Sequence, residues 1–419
     1  MQISIATAAR KRTVAAVAAA LALAYIAFAA SRVLASWFGD RVEQSSLQRA
    51  VRLDPGNAEY RDHLGRYYAL VVRDPASAIA PYLAAVHLNP HSARYWFDLA
   101  SDYQVLADPA DQTYALEHAI EADPTTPDVA WEAANLYLVQ GQTAKALREF
   151  RVVLANDSTL VNPAINFCWR IQPDVEALLR DVVPVNSDAY IAFLNLLLSK
   201  NETAGAALVW DALIQSGQPF ERRYETEYFQ YLISHKEVDE AVLVWRQAAN
   251  RFGLTSYLPS SENLMVNGNF SLDVLNDGLD WRYEKQSGVQ LMLDNSDFHG
   301  GRRSLSISFD GPGITDAGIY ELVPVQPNTT YQFSAYYKNG DIEGAGGPHF
   351  TVQDMYTPAN VYYESDELKD AGFWKLSSGD FTTAADCKMV VVHVRRLPAG
   401  SPIRGKLWID DFRLARKQQ

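Results

Sequence analysis

The residues of this 419-residue chain that could do chemistry do not gather into a catalytic spacing. The His-Glu-x-x-His motif of a zinc hydrolase, which sets two histidines one helical turn apart with a glutamate between them, does not occur among the eight histidines. His299 and His349 fall in predicted loops. No phosphate loop and no Gly-x-Ser-x-Gly elbow occur. Gly344, Gly346 and Gly347 form a glycine cluster outside the strand-to-helix context that a dinucleotide site requires. Glu364, Asp366 and Glu367 make an acidic run of the kind that solvates a loop. A glycosidase would need two carboxylates opposed across a cleft, and no pattern favours that pairing. Cys168 and Cys387 fall in different predicted domains, which points to buried thiols rather than a disulfide. A formal net charge of −13 disfavours a nucleic-acid partner, because phosphate binding needs clustered positive charge. What remains is recognition, and the elements that would present a recognition surface follow from the periodicity.

Arg10, Lys11 and Arg12 precede an apolar run from Thr13 to Ala30, closed by Arg32. About 20 apolar residues cross a bilayer core, so residues 13–31 are predicted to be a transmembrane anchor. Three basic residues before the run and one after place residues 1–12 in the cytoplasm and the bulk of the chain outside it. A cleaved signal peptide is the competing reading, with Ala27-Phe28-Ala29 as the small-residue cleavage site.

From there a helix-ending signal recurs at Asp54-Pro55, Asn89-Pro90, Asp123-Pro124 and Asp157-Ser158, in steps of 35, 34 and 34 residues. Proline cannot continue a helix, so each one marks the turn into a new helix pair. Ten residues after each proline stands a small residue, Gly65, Ala100 or Ala134, and three later a tyrosine, Tyr68, Tyr103 or Tyr137. A period near 34 with these residues resembles the tetratricopeptide repeat (TPR) family over Leu47 to Asp157. Segments Asp188–Gln215 and Glu221–Arg251 read as two further helix pairs, and Thr159–Val185, with Pro163, Pro173 and Pro184, as a distorted unit or connector. The resemblance implies an α-solenoid with a concave groove for a protein partner. Its groove positions map onto Glu59, Asp62 and Arg66, then Arg94, Phe97, Ser101 and Gln104, then Asp128, Trp131, Asn135 and Leu138. Asn135 fits the carboxylate clamp of some family members, but the clamp lysines are missing, so that clamp is not expected.

Composition changes near Ser256, and Pro259-Ser260-Ser261 reads as part of a linker over 256–262. From Asn263 onward the sequence suggests short β segments. Alternation over Ser304–Phe309 puts Leu305, Ile307 and Phe309 on one face, and over Thr330–Tyr337 it groups Tyr331, Phe333, Ala335 and Tyr337. Lys388–Arg395 and Lys406–Leu414 are further strands, and Pro324, Pro327 and Asn328 place a turn. Many short strands with such punctuation predict a sandwich or barrel.

Asn263-Leu264 with Asn267-Gly268-Asn269-Phe270, then Trp281, resembles the opening of the jelly-roll carbohydrate-binding modules of families 4 and 9. Gly300-Gly301-Arg302-Arg303-Ser304-Leu305, the run Pro327 to Tyr336, and Trp374 with Leu407-Trp408-Ile409-Asp410-Asp411-Phe412 continue the likeness across residues 263–416. The resemblance implies glycan binding through exposed aromatic rings, on which apolar sugar faces stack. Tyr336, Tyr356, Tyr362, Tyr363 and Trp374 are the candidates, although Trp281 and Trp374 stand at positions that are usually core. It also implies a structural calcium, which takes six to eight oxygens, with Asp297, Asp410 and Asp411 as candidate ligands. Ser271 stands where the family usually has an acidic residue after the first-strand phenylalanine.

The sequence thus predicts a multidomain α + β chain: a transmembrane helix, an α-solenoid of TPR-like pairs over 40–255, and an antiparallel β-sandwich (jelly roll) over 263–416. The expected role is a non-enzymatic, single-pass scaffold of a bacterial inner membrane facing the periplasm. It would bind a protein partner and a polysaccharide, in surface polysaccharide assembly or export. The alternatives are a structural assembly factor without sugar affinity and a carbohydrate-active enzyme.

Overall fold

The computed structural model describes residues 8–311 and 313–417. Residues 1–7 of the expected cytoplasmic segment lie outside that range. Two compact units are present: residues up to Leu197 together with Leu208–Ser216, and Leu198–Ala207 together with the chain from Gly217 onward.

Helix α1 (Ala8–Gly39) is long and apolar enough to cross a membrane, a property a signal sequence shares, and its apolar window is unburied. It does not stop at the predicted residue 31. Its last turns pack against the fold: Ala35 is fully buried, Arg32 pairs with Asp54 at 2.5 Å, and a side chain at Gly39 would meet the Tyr60 ring.

The helices that follow are α2 (Gln44–Leu53), α3 (Ala58–Arg66), α4 (Pro75–Leu88), α5 (Ala93–Val105), α6 (Pro109–Ala122), α7 (Pro127–Val139) and α8 (Thr143–Asn156). Asp54, Asn89, Asp123 and Asp157 are the C-caps of α2, α4, α6 and α8, so the 34-residue signal does end the second helix of each pair. Aspartates also start helices: Asp74 and Asp108 accept from the backbone N–H groups of Ser77 and Asp111. The small residues admit a neighbour, since a Cβ on Gly65 would lie 2.6 Å from the ring of Tyr82 in α4. The first unit departs from the repeat after Arg66, where the chain turns through a π-helical stretch, Tyr67–Val72, closed by Arg73 in the left-handed region (φ 60°). The proline-rich interval forms a short pair, α9 (Val161–Ile171) and α10 (Val175–Asp181). Two further pairs follow, α11 (Ser187–Ser199) with α12 (Thr203–Ser216) and α13 (Arg222–Ser234) with α14 (Val238–Phe252).

In the second unit the β-sandwich has ten strands among the described residues. They are β1 (Arg282–Tyr283), β2 (Val289–Asp294), β3 (Ser304–Gly311), β4 (Asp316–Pro324), β5 (Thr330–Glu343), β6 (Gly347–Asp354), β7 (Val361–Glu364), β8 (Lys375–Thr382), β9 (Met389–Leu397) and β10 (Ile403–Arg416). One antiparallel sheet has the order β1-β4-β9-β6-β7 and the other β2-β3-β10-β5-β8. Their facing sides make the core, with Leu305, Ile307 and Phe309 of β3 and Tyr331, Phe333, Ala335 and Tyr337 of β5 turned inward as alternation requires. Trp281 is fully buried, with ring centroids 5.1 Å from Phe270 and 4.8 Å from Phe412.

Residues 263–281 differ from expectation in holding no strand. Their asparagines bind nearby backbone instead. Asn267 Oδ1 accepts from Leu272 N, and Asn263 Oδ1 accepts from both Met265 N and Leu414 N, which fixes the segment beside β10. The linker residues are followed at once by these turns. The helix pair α13–α14 belongs to the same compact unit as the sandwich.

Candidate functional site

Because β5 turns Tyr331, Phe333, Ala335 and Tyr337 inward, Gln332, Ser334, Tyr336 and Lys338 lie on the outer face of its sheet. The register sets Leu376 and Ser378 of β8 beside Tyr336 and Ser334, and Asp410 and Trp408 of β10 beside Tyr336 and Lys338. Leu407 and Ile409 are core, so Lys406 and Trp408 share the outer face. The Trp408 ring lies over the strand at Gly340, where an added Cβ would be 3.5 Å from Cζ3. Trp408 Nε1 donates to Asp294 Oδ2 at 2.9 Å. Hydrogen bonds from Ser296 and then Trp408 hold the Asp294 carboxyl well below the usual carboxylate range. Lys406 Nζ and Lys338 Nζ stand 4.3 and 5.7 Å from the Trp408 ring centroid, and Lys338 also pairs with Asp297 at 2.5 Å. The indole is therefore fixed at its edge and flanked by oriented ammonium donors.

Tyr336 is held differently. Between Asp410 and Arg413 the β10 ladder has a bulge, with Asp411 at φ 48°. The bulge buries Asp410, whose Oδ2 accepts from His299 N (2.8 Å) and Gly300 N (3.0 Å) and whose Oδ1 accepts from Asp411 N (2.8 Å). Burial raises this carboxyl to about 6 in spite of the three donors. The anchored loop sets the His299 ring on Tyr336, with centroids 3.6 Å apart and planes 14° apart. His299 Nδ1 donates to Asp411 Oδ2 at 2.5 Å, and Trp374 meets the imidazole at 5.9 Å. Beside Tyr336 opens a cleft of about 740 Å³, lined by Gln332, Ser334, Leu376 and Ser378 of the sheet and by Asn267, Asn269 and Arg413 at its rim. Diagonal neighbours on adjacent strands are roughly 7–8 Å apart, so Tyr336 and Trp408 form two rings on one face at a spacing a saccharide chain can bridge.

The other aromatic candidates are not brought to this face. Tyr356 donates its hydroxyl to the Ile233 carbonyl of α13 at 2.9 Å. Tyr362 stacks on Phe381 and donates to Asp354, and Tyr363 packs on Phe333 with its hydroxyl 2.8 Å from Ser377 Oγ. The three acidic candidates do not offer a converging oxygen set. Asp410 faces N–H donors, Asp411 faces His299, and Asp297 faces Lys338, each a partner that a cation would have to displace. No cluster of three or more histidine, cysteine or carboxylate side chains suited to a metal ion exists among the described residues. These residues do not fit calcium.

In the helical unit the groove candidates divide. Arg66 pairs with Asp98 at 2.7 Å and with Asp62 at 3.3 Å, and Arg94 approaches Asp62 at 3.6 Å. Phe97 is buried, Gln104 is half-buried, and Trp131 packs edge-on against Phe150 and Phe167 at 5.5 and 5.6 Å. Asn135 donates to the Trp131 carbonyl of its own helix at 2.8 Å.

Residues 262–398 match the family model of a carbohydrate binding domain. No curated protein matches the chain. Among solved structures, one described as "CBM4 structure and function" is 14% identical, covering 36% of this chain and 98% of its own, with a TM-score of 0.26. "Family 16 Carbohydrate Binding Module-2" is 22% identical, covering 36% of this chain and 99% of its own, with a TM-score of 0.27. The structure "Crystal structure of MamA" is 18% identical over 41% of this chain and 85% of its own, with a TM-score of 0.25.

Within residues 262–416 the structure brings to this face two residues that are not among the sequence-derived candidates. Trp408 carried a readable signal, an aromatic at an outward position of an alternating strand beside Lys406. His299 carried none, because only the long-range bonds from its loop to Asp410, over a separation of 111 residues for His299 itself, bring it to Tyr336.

Proposed function

We propose that this chain is a membrane-anchored scaffold of a bacterial envelope that holds a glycan on the Tyr336–Trp408 face and a protein partner in its helical groove. The observation that carries the glycan reading is that face itself: two fixed aromatic rings, two oriented lysines and a cleft lined by hydroxyl and amide groups. Rings take the apolar faces of sugars and fixed polar groups select their orientation. A carbohydrate binding domain and TPR-like helix pairs are binding parts rather than catalytic ones, which favours a non-enzymatic role. Retention of the anchor is supported by the run of α1 through Ala27–Ala29 to the packed Gly39, since cleavage there would cut a continuous helix. The basic residues ahead of the run favour a cytoplasmic N-terminus and an extracytoplasmic bulk. Assembly or export of a surface polysaccharide would use both binding parts at once.

The test is a glycan array probed with the full chain in detergent micelles. Retention of at least one oligosaccharide class is expected, and retention on none across plant, bacterial and animal glycans overturns the reading.

A further inference from the structure

The groove side of the first helix pairs carries more acid than its own cations answer. Asp62 of α3, Asp98 and Asp102 of α5, and Glu132 of α7 form one electrostatic group in which Asp98 acts on the other three. Two guanidiniums answer them: Arg66, 2.7 Å from Asp98 and 3.3 Å from Asp62, whose charge also reaches Glu132, and Arg94, 3.6 Å from Asp62; neither acts on Asp102. Asp102 is only 6% exposed, and its Oδ2 has no hydrogen-bond partner. Neither Asp102 nor Glu132 forms an ion pair among the described residues. A buried carboxylate without a counter-charge is unfavourable, and its neighbours feel it. Burial, then the charge of Asp98, raises the Asp102 carboxyl to about 6 and also raises Glu132.

An apolar hollow lies next to this group. Arg66 also lines a cavity of about 380 Å³ walled by Val42, Leu47, Tyr67, Leu70 and Val71. Leu70 is 73% exposed, on the π-helical stretch that breaks the repeat pattern. The two features share one guanidinium, so a single short segment can reach both. A metal ion does not fit, because no suitable cluster of ligand side chains exists among the described residues.

We propose that this face binds a segment of another protein that presents a lysine or arginine beside an aliphatic residue. The cation closes on Asp98, Asp102 and Glu132, and the aliphatic side chain enters the hollow at Leu70. The proposal rests on the reading of the groove as a partner surface and adds the chemistry of that partner.

The experiment titrates the full chain, in detergent micelles, with the peptide acetyl-Leu-Ala-Lys-Leu-Ala-Lys-amide and its glutamine-for-lysine counterpart. The lysine peptide should bind about ten-fold or more tightly than the glutamine peptide, with the preference lost in D98N/E132Q. The control E117Q/E121Q removes the same charge from exposed positions of α6 and should keep the preference, which separates the site from general attraction to an acidic protein. If D98N perturbs the helical circular dichroism, E132Q alone carries the test. Equal binding of both peptides, equal loss in both double variants, or no binding of the lysine peptide at millimolar concentration overturns the proposal. Binding of the glutamine peptide that depends on Leu70 would leave the groove a partner surface while removing its preference for cations.

Discussion

Tyr336 can hold a sugar only if its ring keeps one orientation, and His299 supplies that constraint. The imidazole stacks at 3.6 Å and is itself held by Asp411. His299→Ala should therefore weaken glycan binding a few-fold while changing thermal stability little, because the ring is a third exposed. Calorimetric titration beside a melting curve checks both, and an unchanged affinity would mean that Tyr336 needs no support. Tyr336→Ala removes the platform itself and should cost about 2 kcal/mol, roughly thirty-fold in affinity. At this scale the sequence revealed outward position but not neighbourhood. Alternation marked Tyr336, and the same logic marks Trp408. Tyr356, Tyr362 and Tyr363 sit in an equally polar stretch, yet their hydroxyls meet Ile233, Asp354 and Ser377. Those partners are set by the folded loop and leave no periodic trace.

The helix pair α13–α14 and the sandwich illustrate what periodicity reveals of an element and what it omits. Ala241-Val242-Leu243-Val244-Trp245 repeats Ala206-Ala207-Leu208-Val209-Trp210 at an offset of 35 residues, and that repeat announces the pair. It says nothing of Arg222 donating to Asp277 at 2.9 Å, a partner 55 residues away, or of Thr226 donating to the same carboxylate at 2.6 Å. Pro259-Ser260-Ser261 looks like a linker for the same reason, since composition cannot report packing across it. Trp245 fills the space at Gly278, whose φ is 59°, and a Cβ there would lie 2.2 Å from the indole. Gly278→Ala should destabilise this unit by about 2–4 kcal/mol, from backbone strain and overpacking together. Trp245→Ala in the same chain should recover part of that loss, which a double-mutant cycle of denaturant midpoints would measure.

Glu225 of α13 is fully buried with neither carboxylate oxygen hydrogen-bonded, and burial, then Asp277, raises it to about 8. The folded state therefore holds a proton that the unfolded state releases near its ordinary value of 4.5. Stability is greatest below that value and falls as pH rises toward 8. Glu225→Gln should remove the fall, leaving the variant about 5 kcal/mol more stable than wild type at pH 9 and nearly equal at pH 4.5. Parallel melting curves across pH would refute this if both proteins lose stability alike.

At the scale of the whole molecule, α1 runs from an apolar stretch long enough to cross a membrane into the first repeat. Its apolar window is unburied, yet Arg32, Ala35 and Gly39 contact Asp54, Ala50 and Tyr60 respectively or share their packing. A cleaved leader would leave these contacts on a helix that begins near Arg32. Uncleaved chain should remain with membranes through alkaline extraction, and protease added outside the cytoplasmic membrane should digest it from Arg32 onward. Replacing Arg10, Lys11 and Arg12 with glutamine should scramble that orientation, because the basic excess ahead of the run sets it. The order of an apolar N-terminal helix, helix pairs and a two-sheet sandwich was legible in the sequence. Apolar length, the 34-residue period and strand alternation are local or regular signals, whereas the Tyr336–Trp408 face depends on a bulge and a loop that only the closed sheets define.

Isothermal titration of the full chain with the glycan retained most strongly on an array, run for wild type and for Tyr336→Ala/Trp408→Ala, reads that face directly. Binding heat for wild type and none for the double variant, with the helical and sheet circular dichroism of both unchanged, is the expected result. Equal affinity in the two proteins would place the sugar elsewhere and contradict the account.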